Sequence, residues 1–171
     1  MENANQKLDA THSFLRDCDY LFITLGTAWI YRRIETGEIV ANCHKVPASF
    51  FNRSRESVVN IASVLSDMIT QLKAFNPALQ IIFTVSPIRH WRDGAHDNQI
   101  SKSSLLLSIE EIQDQWSDIH YFPAYEIMMD ELRDYRFYAE DMIHPNTLAI
   151  NYIWEKFCEF SFDNGVKTDI S

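Results

Sequence analysis

YLFITLG at residues 20–26 and QIIFTVSP at residues 80–87 decide the fold. Each is a continuous run of apolar and β-branched residues without the alternation of a half-exposed strand. That is the pattern of strands buried on both faces of a parallel sheet. Gly26 ends the first run and Ser86-Pro87 the second. Between them, the stretch from about Ser54 to Phe75 carries Val58, Ile61, Ala62, Leu65, Met68, Ile69 and Leu72 at helical spacings of three and four. Asn76-Pro77 stops this helix, because a residue before proline is pushed out of the helical region. Further out, Trp29–Arg33 and Glu38–Asn42 flank Thr36-Gly37 as a β-hairpin. A polar loop through Asn98, a helix near 100–116 and a third short strand at Ile119–Phe122 follow. A helical stretch from Pro123 to about Arg133 and an amphipathic helix from Thr147 to Phe160 close the series, and residues near 5–17 form a helix ahead of the first strand. Alternating strands and helices predict one α/β domain over residues 1–171 with a mainly parallel sheet, residues 161–171 forming a loose tail.

Composition narrows the function. The 171 residues are 46% apolar and 23% charged, a globular balance, with a net charge of −9. So acidic a chain, without a basic stripe, repels phosphate backbones and anionic lipid, and neither nucleic acid nor membrane is an expected partner. The four glycines (Gly26, Gly37, Gly94, Gly165) are too scattered for a dinucleotide loop or a P-loop. Three cysteines, Cys18, Cys43 and Cys158, without a close pair, argue against disulfides and thiolate zinc sites and fit a reduced, cytoplasmic protein. Glu2, Lys7, Asp9 and Arg16 leave no room for a signal peptide, and the longest apolar runs fall far short of a membrane span. No metal and no cofactor are expected.

In open α/β sheets chemistry collects outside the carboxyl ends of the strands. Three Asp-x-x-His spacings occur: Asp9–His12, Asp93–His96 and Asp141–His144. The first lies in a surface helix. Asp141–His144 lies on a loop before the last helix, followed by Pro145-Asn146, and its carboxylate can fix the imidazole tautomer as the histidine takes a proton. The segment Ser86 to Asp93, with His90, could hold substrate, and His96 and Asp97 extend its polar set without a regular metal spacing. Gly26 and Thr27, followed by Trp29, leave the first strand where backbone N–H groups can approach a ligand. Asn42 and His44 close the hairpin as candidate pocket residues, while Cys43 and His44 point to opposite faces of a strand and make no dyad. An anionic substrate would find Arg89, Arg92 and Lys45 as its nearest cations.

The ordered set ITLGTAWIYR (23–32), VANCHKVP (40–47), FTVSPIRHWRDGAHDN (83–98), YFPAYEIMMDELRDYRFYAEDMIHPN (121–146) and YIWEKF (152–157) resembles the GSCFA family, a bacterial group within the SGNH (GDSL-like) hydrolase superfamily. The resemblance implies a flavodoxin-like three-layer α/β/α sandwich and ester or acyl hydrolysis by Ser-His-Asp, with Asp141 and His144 as acid and base. The substrate implied is a small-molecule or glycan ester.

Two departures accompany the resemblance. The family's Gly-Ser-Cys-Phe-Ala stretch, which carries the nucleophile, has no counterpart, since no Gly-Ser dipeptide occurs. Ala28 and Trp29 stand where the superfamily's Gly-x-Asn-Asp block has asparagine and aspartate. The chain is therefore expected to be an N-terminally truncated version of the fold. It is either a hydrolase whose serine lies in another segment or polypeptide, or a non-catalytic binding subunit. The strand at 20–25 should then present an unpaired apolar edge that a partner chain or a second copy covers.

Overall fold

The computed structural model describes residues 2–41, 43 and 45–162. Asn42, His44 and most of the expected tail, residues 163–171, lie outside the described residues. The fold is α/β, with a parallel three-stranded sheet and a small antiparallel one.

In the parallel sheet the order is β1 (Tyr20–Leu25), β5 (Gln80–Val85), β6 (Ile119–Phe122). Tyr20 pairs with Gln80 through to Leu25 with Val85, and Ile81 pairs with Ile119. The central strand meets the expectation of burial on both faces. Ile81, Phe83 and Val85 point into one apolar cluster and Ile82 into a second, so its alternate side chains feed two cores. Each such fully buried side chain contributes about 1.5–3 kcal/mol. The first cluster is closed by α2 (Val58–Phe75) and α3 (Gly94–Gln115), the second by α4 (Ala124–Glu126), the wider turn Ile127–Glu131 and α5 (Thr147–Ser161). Right-handed crossovers keep successive helices on one face when the strands advance in one direction. Accordingly α2 and α3 pack together, with the Ser108 hydroxyl donating to the Val58 carbonyl at 3.1 Å.

Several expectations need correction. β1 is not buried on both faces: Tyr20 is 58% and Phe22 47% exposed. It pairs only with β5 among the described strands, and α5 covers just part of its face. The long helix starts at Val58, capped by the Ser57 hydroxyl accepting from the Asn60 N–H, and not near Ser54. Residues 51–55 instead form β4 (Phe51–Arg55), which pairs with β2 (Trp29–Arg33) at one edge of the antiparallel sheet. The expected hairpin is present as β2 and β3 (Ile39–Val40), turned by Gly37 in the left-handed region at φ 71°. The loop after β5 is shorter than expected, since α3 begins at Gly94. An α1 helix (Glu2–Asp17) precedes β1, and the buried Asn76 amide joins its end to α2 by donating to the Leu15 and Cys18 carbonyls. Among the described residues, no helix is long and apolar enough to cross a membrane.

Candidate functional site

The carboxyl ends of β1 and β5 are tied together by a residue the sequence reading passed over. Lys102, fully buried on α3, donates from Nζ to the Gly26 carbonyl and to the Ser86 carbonyl, both at 2.7 Å. Its ammonium lies 5.6 Å from the Tyr125 ring centre. Burial pushes its pKa down to about 8. Neighbouring Ser101 accepts from the Ala28 N–H at 2.8 Å and shares a hydrogen bond with the Thr27 hydroxyl at 3.0 Å. Thr27 in turn accepts from the Trp29 N–H. A signal for this was available, since Asn98, Ser101, Lys102, Leu105 and Ile109 fall on one helical stripe.

Of the loop after β5, Ser86 is used locally: its hydroxyl accepts from the Ile88 N–H at 3.3 Å. The backbone N–H of His90 donates to the buried Asn98 at 2.8 Å. A methyl group on Gly26 would come within 3.9 Å of the His90 Nε2, so this imidazole sits beside the end of β1. Asp93 is engaged by Arg53 through two hydrogen bonds of 2.6 Å. Arg53 holds its carboxyl below the usual range, and Arg53 itself lies 4.1 Å over the Trp29 ring. Arg92 donates to the Tyr31 hydroxyl at 2.7 Å, so the small sheet is tied to the turn before α3 at two points.

Asp141 and His144 meet as expected. Asp141 Oδ2 and His144 Nδ1 are 2.5 Å apart, and Asp141 Oδ1 accepts from the backbone N–H groups of Ile143 and His144 at 2.9 Å each. The backbone N–H of His144, then its ring, then the Ile143 N–H lower the Asp141 pKa to about 2. Met142 adopts φ 61° to close this turn. The turn is braced by the Ala139 N–H on the His144 carbonyl at 2.8 Å and by Arg89, which donates to the Met142 carbonyl at 3.2 Å. Arg89 lies between the rings of Trp91 and Tyr138 and thereby links the loop after β5 to the histidine turn. Both dyad side chains are about half exposed, His144 at 56% and Asp141 at 48%. Asn146 then caps α5, accepting from the Ala149 N–H and donating to the Arg136 and Tyr138 carbonyls.

Beside the dyad runs an apolar groove of about 400 Å³. It extends from Phe22 and Thr24 under α5 to Pro87 and Pro145, the residues that follow Ser86 and His144. Polar residues thus gather at the strand ends and apolar ones beneath them, the distribution of small-molecule sites.

A family model described as the GSCFA family matches residues 1–157. No curated protein sequence matches the chain.

Proposed function

The chain belongs to the GSCFA family, and we propose that it carries the acid–base half of an SGNH-type ester-hydrolysing site on a flavodoxin-like three-layer sandwich. The observation that carries this reading is the 2.5 Å contact of His144 Nδ1 with an aspartate whose other oxygen is held by two backbone N–H groups. A carboxylate so fixed keeps the proton on Nδ1 and leaves Nε2 as the base. In the reaction a serine hydroxyl from another segment attacks the ester carbonyl carbon while Nε2 takes its proton. The same proton passes to the departing alcohol, and a water deprotonated by Nε2 then releases the acid and restores the serine. N–H groups near Gly26 and Thr27 would face the oxyanion, and Trp29, Asn42, His44 and His90 would shape the pocket for a small-molecule or glycan ester. Three free thiols suit a reducing compartment, so the proposed location is the cytoplasm.

A second reading, a non-catalytic binding subunit, is favoured by one observation. Among the described residues no serine hydroxyl hydrogen-bonds to His144, and the Ser86 hydroxyl is occupied in its own turn. Hydrolysis of p-nitrophenyl acetate separates the two, because this activated ester is cleaved even by a base acting on water. The chain is expected to hydrolyse it slowly, with a loss of at least about tenfold in His144→Ala, the low end of general-base contributions. Equal background rates in both proteins would remove hydrolysis by this chain alone and favour the binding subunit.

A further inference from the structure

The outer edge of β1 takes no part in the chemistry above. Its backbone groups have no strand partner on that side among the described residues. None of its six residues is charged, and it carries neither proline nor a bulge, the devices that keep edge strands single. Tyr20, Phe22 and Thr24 point to the α5 face, where the Phe22 ring meets Phe157 edge-on at 5.2 Å. The apolar groove opens on that same face, and Phe22 and Thr24 form part of its wall.

We propose that this face is the interface of a twofold dimer, in which β1 of one copy pairs antiparallel with β1 of a second copy of the chain. The symmetry restricts the register. A twofold axis perpendicular to the sheet preserves its faces, and residues directly opposite in an antiparallel pair lie on one face. The two residue numbers must therefore sum to an even value. Centring on Phe22 sets Phe22 against its own copy, Leu21 against Ile23, and Tyr20 against Thr24. A large ring then stands beside a small side chain at both ends. The exposed Tyr20 of each copy thereby gains a seat at the groove wall formed by Thr24, Thr84 and Pro87 of the other. In this register Asp19 falls opposite Leu25, so no like charges face each other across the seam.

Area supports the same occupant. Tyr20, Phe22, Ile150 and Trp154 are each about half exposed along this edge and groove. Half-exposed aromatic side chains of 150–250 Å² offer roughly 100 Å² each and Ile150 somewhat less, or about 700 Å² over two copies. The strand backbones and the rest of the groove wall bring the total toward the roughly 1,200–2,000 Å² of a specific interface. The two three-stranded sheets become one continuous sheet. This dimer does not depend on the hydrolytic reading.

The test is light scattering during size exclusion of the full chain at about 100 μM, a concentration that saturates a standard-size interface. A mass of twice 20.0 kDa is expected, and Phe22→Lys is expected to weaken association at least about a hundredfold, since it buries two opposed cations. Where Phe22→Lys fails to retain the wild-type circular dichroism, Thr24→Trp serves instead, because it blocks the seat of the partner's Tyr20 from a solvent-facing position. Under mild oxidation Phe22→Cys is expected to give a disulfide between the two copies at position 22, located by peptide mass mapping. Ile23→Cys should give none at position 23, because it opposes Leu21 in the proposed register. A monomer at that concentration would overturn the proposal and leave the edge to a different chain. A dimer indifferent to both Phe22→Lys and Thr24→Trp, a failure to cross-link at 22, or an open-ended assembly would overturn it equally.

Discussion

Arg53 and Asp93 are joined by two parallel hydrogen bonds of 2.6 Å, a fork-to-fork pair that ties the small sheet to the turn before α3. Arg53 lies on β4 of the antiparallel sheet, and Asp93 ends the turn entering α3, which covers the parallel sheet. The pair is the strap that holds the small sheet to the turn before α3, and it consumes a carboxylate that the sequence offered as a substrate ligand.

Asp93→Asn keeps the shape but removes the charge that opposes Arg53. The pair is partly shielded, with side chains 23% and 9% exposed. Its disruption is expected to cost about 1–3 kcal/mol, below the cost for a fully buried pair. Because Arg53 depresses the Asp93 pKa, this stability is present above the ordinary carboxylate range and lost as pH falls below it. Urea unfolding at pH 7 and pH 3 checks both statements. A loss under 0.5 kcal/mol at pH 7 would refute the strap.

Lys102 titrates in the opposite sense. Its pKa near 8 in the folded chain lies below its ordinary 10.5, so between these values the unfolded chain binds more protons. Stability therefore rises with pH across that window, by a few kcal/mol at most. Lys102→Met removes the dependence, although it also strands the Gly26 and Ser86 carbonyls and lowers stability at pH 7. Chemical denaturation of both proteins from pH 7 to 10 should show the wild type gaining on the variant. Parallel curves would be the contrary result.

The low pKa of Asp141 owes most to the backbone N–H of His144, which survives side-chain replacement. In His144→Ala the Asp141 carboxyl should therefore titrate still below the ordinary 3.8, though above its wild-type value of about 2. Whatever stability the turn confers is present above pH 3.8 and disappears only as pH falls through about 2. Carboxyl-carbon NMR titration of both proteins reads this directly, and a return to 3.8 in the variant would show that the ring alone was responsible.

Asn146 has two duties, and substitutions separate them. Asn146→Ala should cost about 1–2 kcal/mol through loss of the α5 cap. Asn146→Asp restores the acceptor for the Ala149 N–H but cannot donate to the Arg136 and Tyr138 carbonyls, so it should recover only part of that loss. Thermal midpoints rank the three proteins. An Asp variant equal to wild type would show that the amide donors are idle.

β5 was legible because burial on both faces leaves an unbroken apolar run, and Ile81 to Val85 is one. β1 carries the same kind of run and was misread, since neither Tyr20 nor Phe22 reveals whether a neighbour lies beside them; edge and centre differ in topology and not in composition. β4 escaped because Asn52, Arg53 and Arg55 are polar, and its strand character comes from pairing with Trp29 to Arg33. The Asp141–His144 pair was readable because its partners lie three apart on one turn. Lys102 was readable only as a member of the buried stripe of α3, while the carbonyls it binds, 76 and 16 positions away, were not. Asp93 pairs with a residue 40 positions upstream, and no local pattern announces Arg53.

The register of β1 on β5 joins residues sixty positions apart, Tyr20 with Gln80 through to Leu25 with Val85. At about 5–20 residues per second, a ribosome needs roughly 3–12 s to deliver the second strand after the first. For that interval YLFITL is an uncharged, apolar strand with neither neighbour, and the six residues of one nascent chain can meet those of another on the same message. Slowing translation between residues 26 and 79 should therefore raise the insoluble fraction, while a charge at Phe22 should lower it.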